Sequence, residues 1–266
     1  MTLDSLDPKY RLILCDVWGV IHDGIAILPG VIERLRRWRG EGRTVILLTN
    51  APRTVESVAG QLERIGLPSE CWDHIATSGE AGIAALGALG APVGFVGTAS
   101  DREVLKSRGI VIADDESFTD LACTGIDENR RSVAEYAAEL EALAERDVRM
   151  HCLNPDRVVH RGGIPEPCAG AIADAFAMMG GDVTWYGKPF PAIYDHALRL
   201  GGNPPKDEVV AVGDGLQTDI LGAARRGIDA IFVTSGIHRG EAFPDDFGVA
   251  NGLGDWQPVA VVDGLA

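Results

Sequence analysis

Apolar and polar positions change period repeatedly along the first third of the chain. The run from Arg11 to Cys15 is almost wholly apolar and closes at Asp16, the pattern of a strand buried on both faces. After Leu28-Pro29-Gly30, the apolar positions Val31, Ile32, Leu35 and Trp38 follow a helical spacing that Gly40 and Gly42 end. Thr44–Thr49 is β-branched and apolar and reads as a second strand. Val55, Val58, Ala59, Leu62 and Ile65 make one helical face, stopped by Gly66, and Ile75–Ser78 is a weaker third strand. Strand and helix in alternation predict a parallel sheet covered by helices on both faces.

The middle of the chain has an alternation of its own. Val93–Val96, Ile110–Ile112, Leu121–Cys123 and Val148–Cys152 read as short strands, and Arg131–Ala144 as a helix. Such a stretch can build a small separate core. Regular order returns with a strand at Val183–Tyr186 and a helix over Pro191–Leu200. Val209–Val212 is the cleanest buried strand in the chain. The turn Gly213-Asp214-Gly215, a helix through Ile220, Leu221 and Ala224, and a strand over Asp229–Thr234 follow. The fold class is α/β: a doubly wound parallel sheet of Rossmann-like type, interrupted by an inserted α/β module.

Charge narrows the choice of partner. Lys and Arg number 24 against 39 Asp and Glu, a formal charge of -15. So acidic a surface repels phosphate backbones and anionic lipid, so neither nucleic acid nor membrane is expected as a partner. It also means that any phosphate ligand needs a local cation. The odd set of five cysteines has no paired metal-ligand spacing and reads as reduced thiols. The segment 1–11 is polar, without a signal-type apolar region, and no apolar stretch reaches the roughly 20 residues of a membrane helix. A cytoplasmic protein is expected.

Two strands run into an aspartate. Asp16 closes the first, and Asp214 follows Val209–Val212. Ligands of open parallel sheets bind at the carboxyl ends of strands, where two carboxylates can share a divalent cation of the Mg2+ kind. An aspartate there also serves as a turn residue or helix cap. Thr49-Asn50 ends another strand; its polar groups and the following N–H groups suit either a phosphate or a helix cap. Lys188 follows a strand as a point cation, and Asp219, five residues after Asp214, can reach Lys188 or a metal-bound water.

In order, these pieces resemble the haloacid dehalogenase-like (HAD) superfamily, in particular its class IIA branch. Asp16-Val-Trp-Gly-Val-Ile-His-Asp-Gly24 resembles motif I, Thr49-Asn50-Ala51-Pro52-Arg53 motif II, Gly187-Lys188-Pro189 motif III, and Gly213-Asp214-Gly-Leu-Gln-Thr-Asp219 motif IV. The resemblance implies a core built from residues 1–89 and 183–266 and a substrate-selecting cap over 90–182. It implies Mg2+ held by Asp16, the backbone carbonyl of Trp18 and Asp214, and Asp16 as nucleophile with Lys188 and Asp219 in support. Phosphate would be held by Thr49, Asn50, Ala51 and Lys188. Arg157, just after Asn154-Pro155-Asp156, stands near where relatives carry a substrate-contacting histidine. The implied function is a Mg2+-dependent phosphohydrolase acting on a small phosphorylated metabolite, a sugar phosphate among the candidates; a homodimer is one state the branch adopts.

One position departs from the pattern. Two residues after the nucleophile the phosphatases carry a second aspartate, the general acid and base; here it is Trp18, whose indole N–H cannot do general acid–base work. Two alternatives follow: a catalytically weak protein that binds a phosphometabolite, or a metal-independent dehalogenase-like hydrolase, since those enzymes carry an aromatic residue at this position.

Overall fold

The computed structural model describes residues 3–161, 164–234 and 242–266. The described strands are β1 Leu12–Asp16, β2 Thr44–Thr49, β3 His74–Thr77, β4 Gly94–Val96, β5 Asp120–Cys123, β6 Arg149–Cys152, β7 Val158–Arg161, β8 Ile164–Pro167, β9 Asp182–Trp185, β10 Val209–Gly213, β11 Asp229–Val233 and β12 Ala260–Val262. The α-helices are α1 Val31–Gly40, α2 Val55–Arg64, α3 Ser78–Leu89, α4 Ala99–Ser107, α5 Ala137–Glu145, α6 Ala169–Met178, α7 Pro191–Leu200, α8 Leu221–Arg226 and α9 Phe247–Ala250. None of them is long and apolar enough to cross a membrane.

The chain divides into two compact units. The first comprises Met1–Thr49, Val55–Ala76 and Lys188–Ala266. Its six-stranded sheet has the order β12-β11-β10-β1-β2-β3, and the pairs β12–β11, β11–β10, β10–β1 and β1–β2 are parallel. Every residue of β1 and β10 is buried, as their unbroken apolar runs require. From β1 the chain proceeds to β2 and β3 on one side and returns to β10, β11 and β12 on the other. The order therefore reverses beside β1, which makes the carboxyl ends of β1 and β10 the switch point where open parallel sheets bind their ligands.

The second unit comprises Asn50–Thr54 and Thr77–Gly187. Its own parallel sheet has the order β4-β5-β6-β9, and β7 and β8 form an antiparallel hairpin. Tyr136, Leu140, Leu143, Met150, Ile172 and Phe176 fill its separate core. Ile110–Ile112, expected as a strand, makes only a single bridge from Ile112 to Val93. Gly109 turns at φ 80 just before it, and a tight turn closed on the Asp115 carboxylate begins soon after, so no run of extended residues is left to pair. The helix expected over Arg131–Ala144 begins later, with a 3-10 turn at Val133–Tyr136 that leads into α5. Ser132 stays extended and its N–H is bonded by the Glu135 carboxylate, which sets the start.

Asp73 ties the entry of β3 to β2 in the first unit. Its carboxylate accepts from the N–H of Val45 at 2.8 Å and from Arg39 Nη2 at 2.6 Å. Burial works against the charge, but Arg39 and the Val45 N–H outweigh it and hold the pKa below the usual aspartate value. A depressed native pKa stabilises the fold above the unfolded-state pKa, near 4, and that contribution is lost as pH falls through the native value. Asp73→Asn is expected to cost about 1–3 kcal/mol at pH 7 and progressively less below pH 4. Urea denaturation of both proteins at pH 7 and pH 3 measures this; an equal difference at both would refute it.

Candidate active site

Four charged side chains of the first unit converge at the switch point. Asp16 ends β1, Asp214 directly follows β10, Asp219 sits in a π-helical turn over Leu216–Ile220, and Lys188 precedes α7. Each is buried, with 3–6% of its surface exposed. Three acidic groups do not enter a protein interior without compensation. Lys188 supplies part of it. Its ammonium donates to Asp16 Oδ1, to Asp219 Oδ1 at 2.7 Å and to the carbonyl of Leu48 at 3.2 Å. Leu48 is in reach because β2 pairs with β1 in the register that sets Leu48 opposite Asp16. The second Asp219 oxygen accepts from the N–H of Gly215 at 3.1 Å and from the Thr218 hydroxyl at 3.3 Å.

Close approach of backbone to these acids depends on glycine. At Gly19, φ 83, a methyl group would collide with the Asp214 carboxylate; at Gly213 it would collide with Asp219. The Gly19 of the first motif and the Gly213 of the fourth are thus packing requirements of the acid cluster.

The electrostatics of the cluster are those of crowded acids. Carboxylate oxygens of Asp16, Asp214 and Asp219 lie within 4.8 Å of one another. Burial, then the neighbouring charge of Asp219, push the Asp16 pKa well above its ordinary value, with Lys188 opposing and Asp214 adding to the rise. Burial also opposes the charge of Lys188, but Asp16 and Asp219 overcome it and hold the ammonium firmly protonated. Three converging carboxylates form an all-oxygen donor set of the kind that suits a hard divalent cation.

Trp18 is half exposed, its ring edge-on to His22 at 5.3 Å between centroids. Its six-membered ring lies against Gly24, where a Cβ would strike it. Both nearby titratable groups are bonded within the turn. His22 is buried, its Nδ1 accepts from the Gly24 N–H at 2.9 Å, and burial lowers its pKa. Asp23 accepts from the N–H groups of Ala26 and Ile25, both at 2.9 Å, and these bonds hold its pKa below the usual value. Both residues close the turn that carries Trp18.

The other candidate residues fall as follows. Thr49 ends β2 in the first unit, whereas Asn50–Thr54 group with the second. α2 begins at Val55, so Asn50 and Ala51 occupy a loop and not the first turn of a helix. The Asn50 amide donates to Asp156 at 2.8 Å, and the Ser78 hydroxyl lies within bonding distance of the carbonyls of Asn50, Ala51 and Leu153. Arg157 forms a two-pronged pair with Asp174 of α6, at 2.8 and 3.2 Å, and its guanidinium lies 5.9 Å from the Trp185 ring centroid. Sequence reasoning missed the Leu48 carbonyl, Ser78, the Asp156–Asn50 bond and Tyr194, whose hydroxyl bonds the π-helical turn. None carries a local signal, since each acts through a partner distant in sequence.

Comparison with known proteins agrees with this geometry. A model of the haloacid dehalogenase-like hydrolases matches residues 13–111, and a HAD-hydrolase-like model matches residues 185–266. A solved hydrolase of the haloacid dehalogenase-like family from Brucella suis 1330 is 30% identical, with a TM-score of 0.84 over 99% of this chain and 98% of that one. The ribonucleotide monophosphatase NagD of Escherichia coli K12 is 29% identical across 85% of this chain and 88% of its own. An acid sugar phosphatase of Staphylococcus saprophyticus is 27% identical across 86% and 88%. The chain belongs to the haloacid dehalogenase-like hydrolases, in their class IIA branch, and is an enzyme of that family, among relatives named as sugar and nucleotide phosphatases.

Removing the Lys188 ammonium exposes the cost of burying these acids. Lys188→Met should destabilise the protein by about 3–5 kcal/mol, because it leaves buried carboxylates unpaired. Guanidinium denaturation without divalent ions checks this, and a loss under 1 kcal/mol would mean that Lys188 does not compensate the acids.

Proposed function

We propose that the protein is a Mg2+-dependent phosphohydrolase acting on a small phosphorylated metabolite through a covalent intermediate on Asp16. The observation that carries the proposal is the buried cluster of Asp16, Asp214 and Asp219, whose carboxylate oxygens lie within 4.8 Å of one another beside Lys188. Asp16 and Asp214, with the backbone carbonyl of Trp18, are the proposed Mg2+ ligands. When bound, Mg2+ would draw electron density from the phosphoryl oxygens.

The chain's own groups account for the rest. An Asp16 oxygen attacks phosphorus, the bond to the leaving oxygen breaks, and the leaving group takes the electron pair. Water then attacks the same phosphorus, releasing inorganic phosphate and restoring the Asp16 carboxylate. Lys188 offsets charge on the equatorial oxygens, together with Thr49 and the loop donors of Asn50 and Ala51. Asp219 holds the Lys188 ammonium. Arg157 is the proposed substrate contact of the cap, which selects the remainder of the metabolite; a sugar or nucleoside is suggested by what the relatives are named for.

Among the described residues, the step without an evident donor is protonation of the leaving group. Trp18 has no titratable proton to give, and His22 and Asp23 are engaged in the turn. Turnover should therefore depend steeply on how stable the leaving group is as an anion. That same observation favours a second reading, in which the site binds a phosphorylated metabolite without turning it over.

Phosphate release from a panel of phosphomonoesters, with Mg2+ and with EDTA, decides between them. Mg2+-dependent release that Asp16→Asn abolishes is expected. If no ester is cleaved but phosphate with Mg2+ raises the melting temperature, the binding reading takes its place. Halide release from haloacids in EDTA would instead indicate the dehalogenase chemistry.

The role of Trp18 has a separate test. Trp18→Asp should raise kcat for alkyl phosphates by about 10²–10⁴-fold, and for 4-nitrophenyl phosphate by much less. Equal effects on both classes, or none on either, would remove the missing acid as an explanation.

A further inference from the structure

The π-helical turn that carries Asp219 has an external anchor. Within it the N–H of Ile220 reaches back to the carbonyl of Gly215 at 3.1 Å, a five-residue span in place of the usual four. So wide a turn swings its carbonyls out of line with the helix that follows. On their side stands Tyr194 of α7, fully buried, with its hydroxyl 3.1 Å from the Asp219 carbonyl and 3.4 Å from that of Thr218. Gly222, the second residue of α8, has no Cβ, and one built there would run into the Tyr194 hydroxyl and ring. A buried phenol needs an acceptor, and here the acceptors are the backbone of the very residue whose carboxylate grips Lys188.

We infer that Tyr194 is a positioning residue: its hydroxyl fixes the backbone of the π-helical turn, thereby the Asp219 carboxylate, and through it the Lys188 ammonium against Asp16. For turnover this rests on the phosphohydrolase reading above, but the geometric part does not. The chain of contacts is short. The hydroxyl holds the Asp219 carbonyl, Asp219 Oδ1 holds Lys188 Nζ at 2.7 Å, and Lys188 Nζ meets Asp16 Oδ1. With the bond lost, the Asp219 backbone can relax toward ordinary helix. The carboxylate at its side-chain end, wedged against Gly213, then shifts with it.

Tyr194→Phe keeps the ring against Gly222 and deletes only the hydroxyl. The first readout needs no activity. The chain has four lysines, and Lys9, Lys106 and Lys206 are exposed. In protein labelled with 15N-lysine, the buried Lys188 ammonium should give the one slowly exchanging side-chain signal, identified by its loss in Lys188→Met. Tyr194→Phe is expected to shift that signal and speed its exchange, whereas Tyr10→Phe, a change at another buried tyrosine, leaves it in place. The second readout is kinetic. Tyr194→Phe should lower kcat roughly 10- to 100-fold with little change in KM, and should cost nothing further in an Asp219→Asn background. An unmoved Lys188 signal, or losses that add in the double variant, would overturn the inference. Should Asp16→Asn leave phosphate release intact, the phosphohydrolase reading fails on its own, and the Lys188 signal still decides the role of Tyr194.

Discussion

The rest of the site depends on one buried ammonium. The parallel sheet brings the carboxyl ends of β1 and β10 side by side, so Asp16 and Asp214 are forced together by topology before any ligand arrives. Asp219 adds a third acid. Lys188 makes this tolerable by donating to two of the acids and to the Leu48 carbonyl. Buried ion pairs are poor net stabilisers, since desolvation consumes most of the attraction. What the arrangement gains is geometry. One Nζ fixes the separation of two carboxylates on different elements and refers both to the edge of β2.

That dependence explains the local sequence better than any single motif does. Gly19 and Gly213 are required because the acids occupy the space where a Cβ would be. Gly222 is required because Tyr194 does. The glycines of the first and fourth motifs thus belong to the same packing problem as the aspartates beside them, which is why motif and geometry coincide.

The legible part of the fold was the part governed by local periodicity. β1, β2 and β10 stand out as uninterrupted apolar runs because both faces of a central parallel strand are covered, and Asp16 and Asp214 stand out because they break such runs. α3 did not stand out: its Ser-Gly-Glu-Ala-Gly start has no apolar stripe, and its small residues let the helix pack closely, with Gly79 against the Pro52 and Arg53 carbonyls and Gly82 against the Leu153 side chain. The β7–β8 hairpin and the π-helical turn were equally silent, since neither has a period that residue types betray. Partners were the least legible of all. Asp174 lies 17 residues from Arg157, Asp156 lies 106 from Asn50, and Leu48 lies 140 from Lys188. No spacing rule reaches across such intervals; only the folded chain sets which polar group each one meets.

Trp18 separates two contributions that phosphatases of this family ordinarily combine. Charge compensation at phosphorus needs the acid cluster, Lys188 and a divalent ion, and all the protein's share of that is present. Proton transfer to the leaving oxygen needs a titratable group, and the turn that would carry one is closed by His22 and Asp23, each bonded to backbone. General acid catalysis is worth about 10²–10⁴ in rate, or roughly 3–5 kcal/mol of barrier. On the proposed mechanism that whole sum is missing for an alkyl leaving group, while for an acidic phenol or an acyl group most of it is never needed. Under that proposal, a site that keeps its electrostatics and gives up its proton discriminates by leaving-group acidity. The half-exposed indole, edge-on to His22, would then act as a filter on the leaving group.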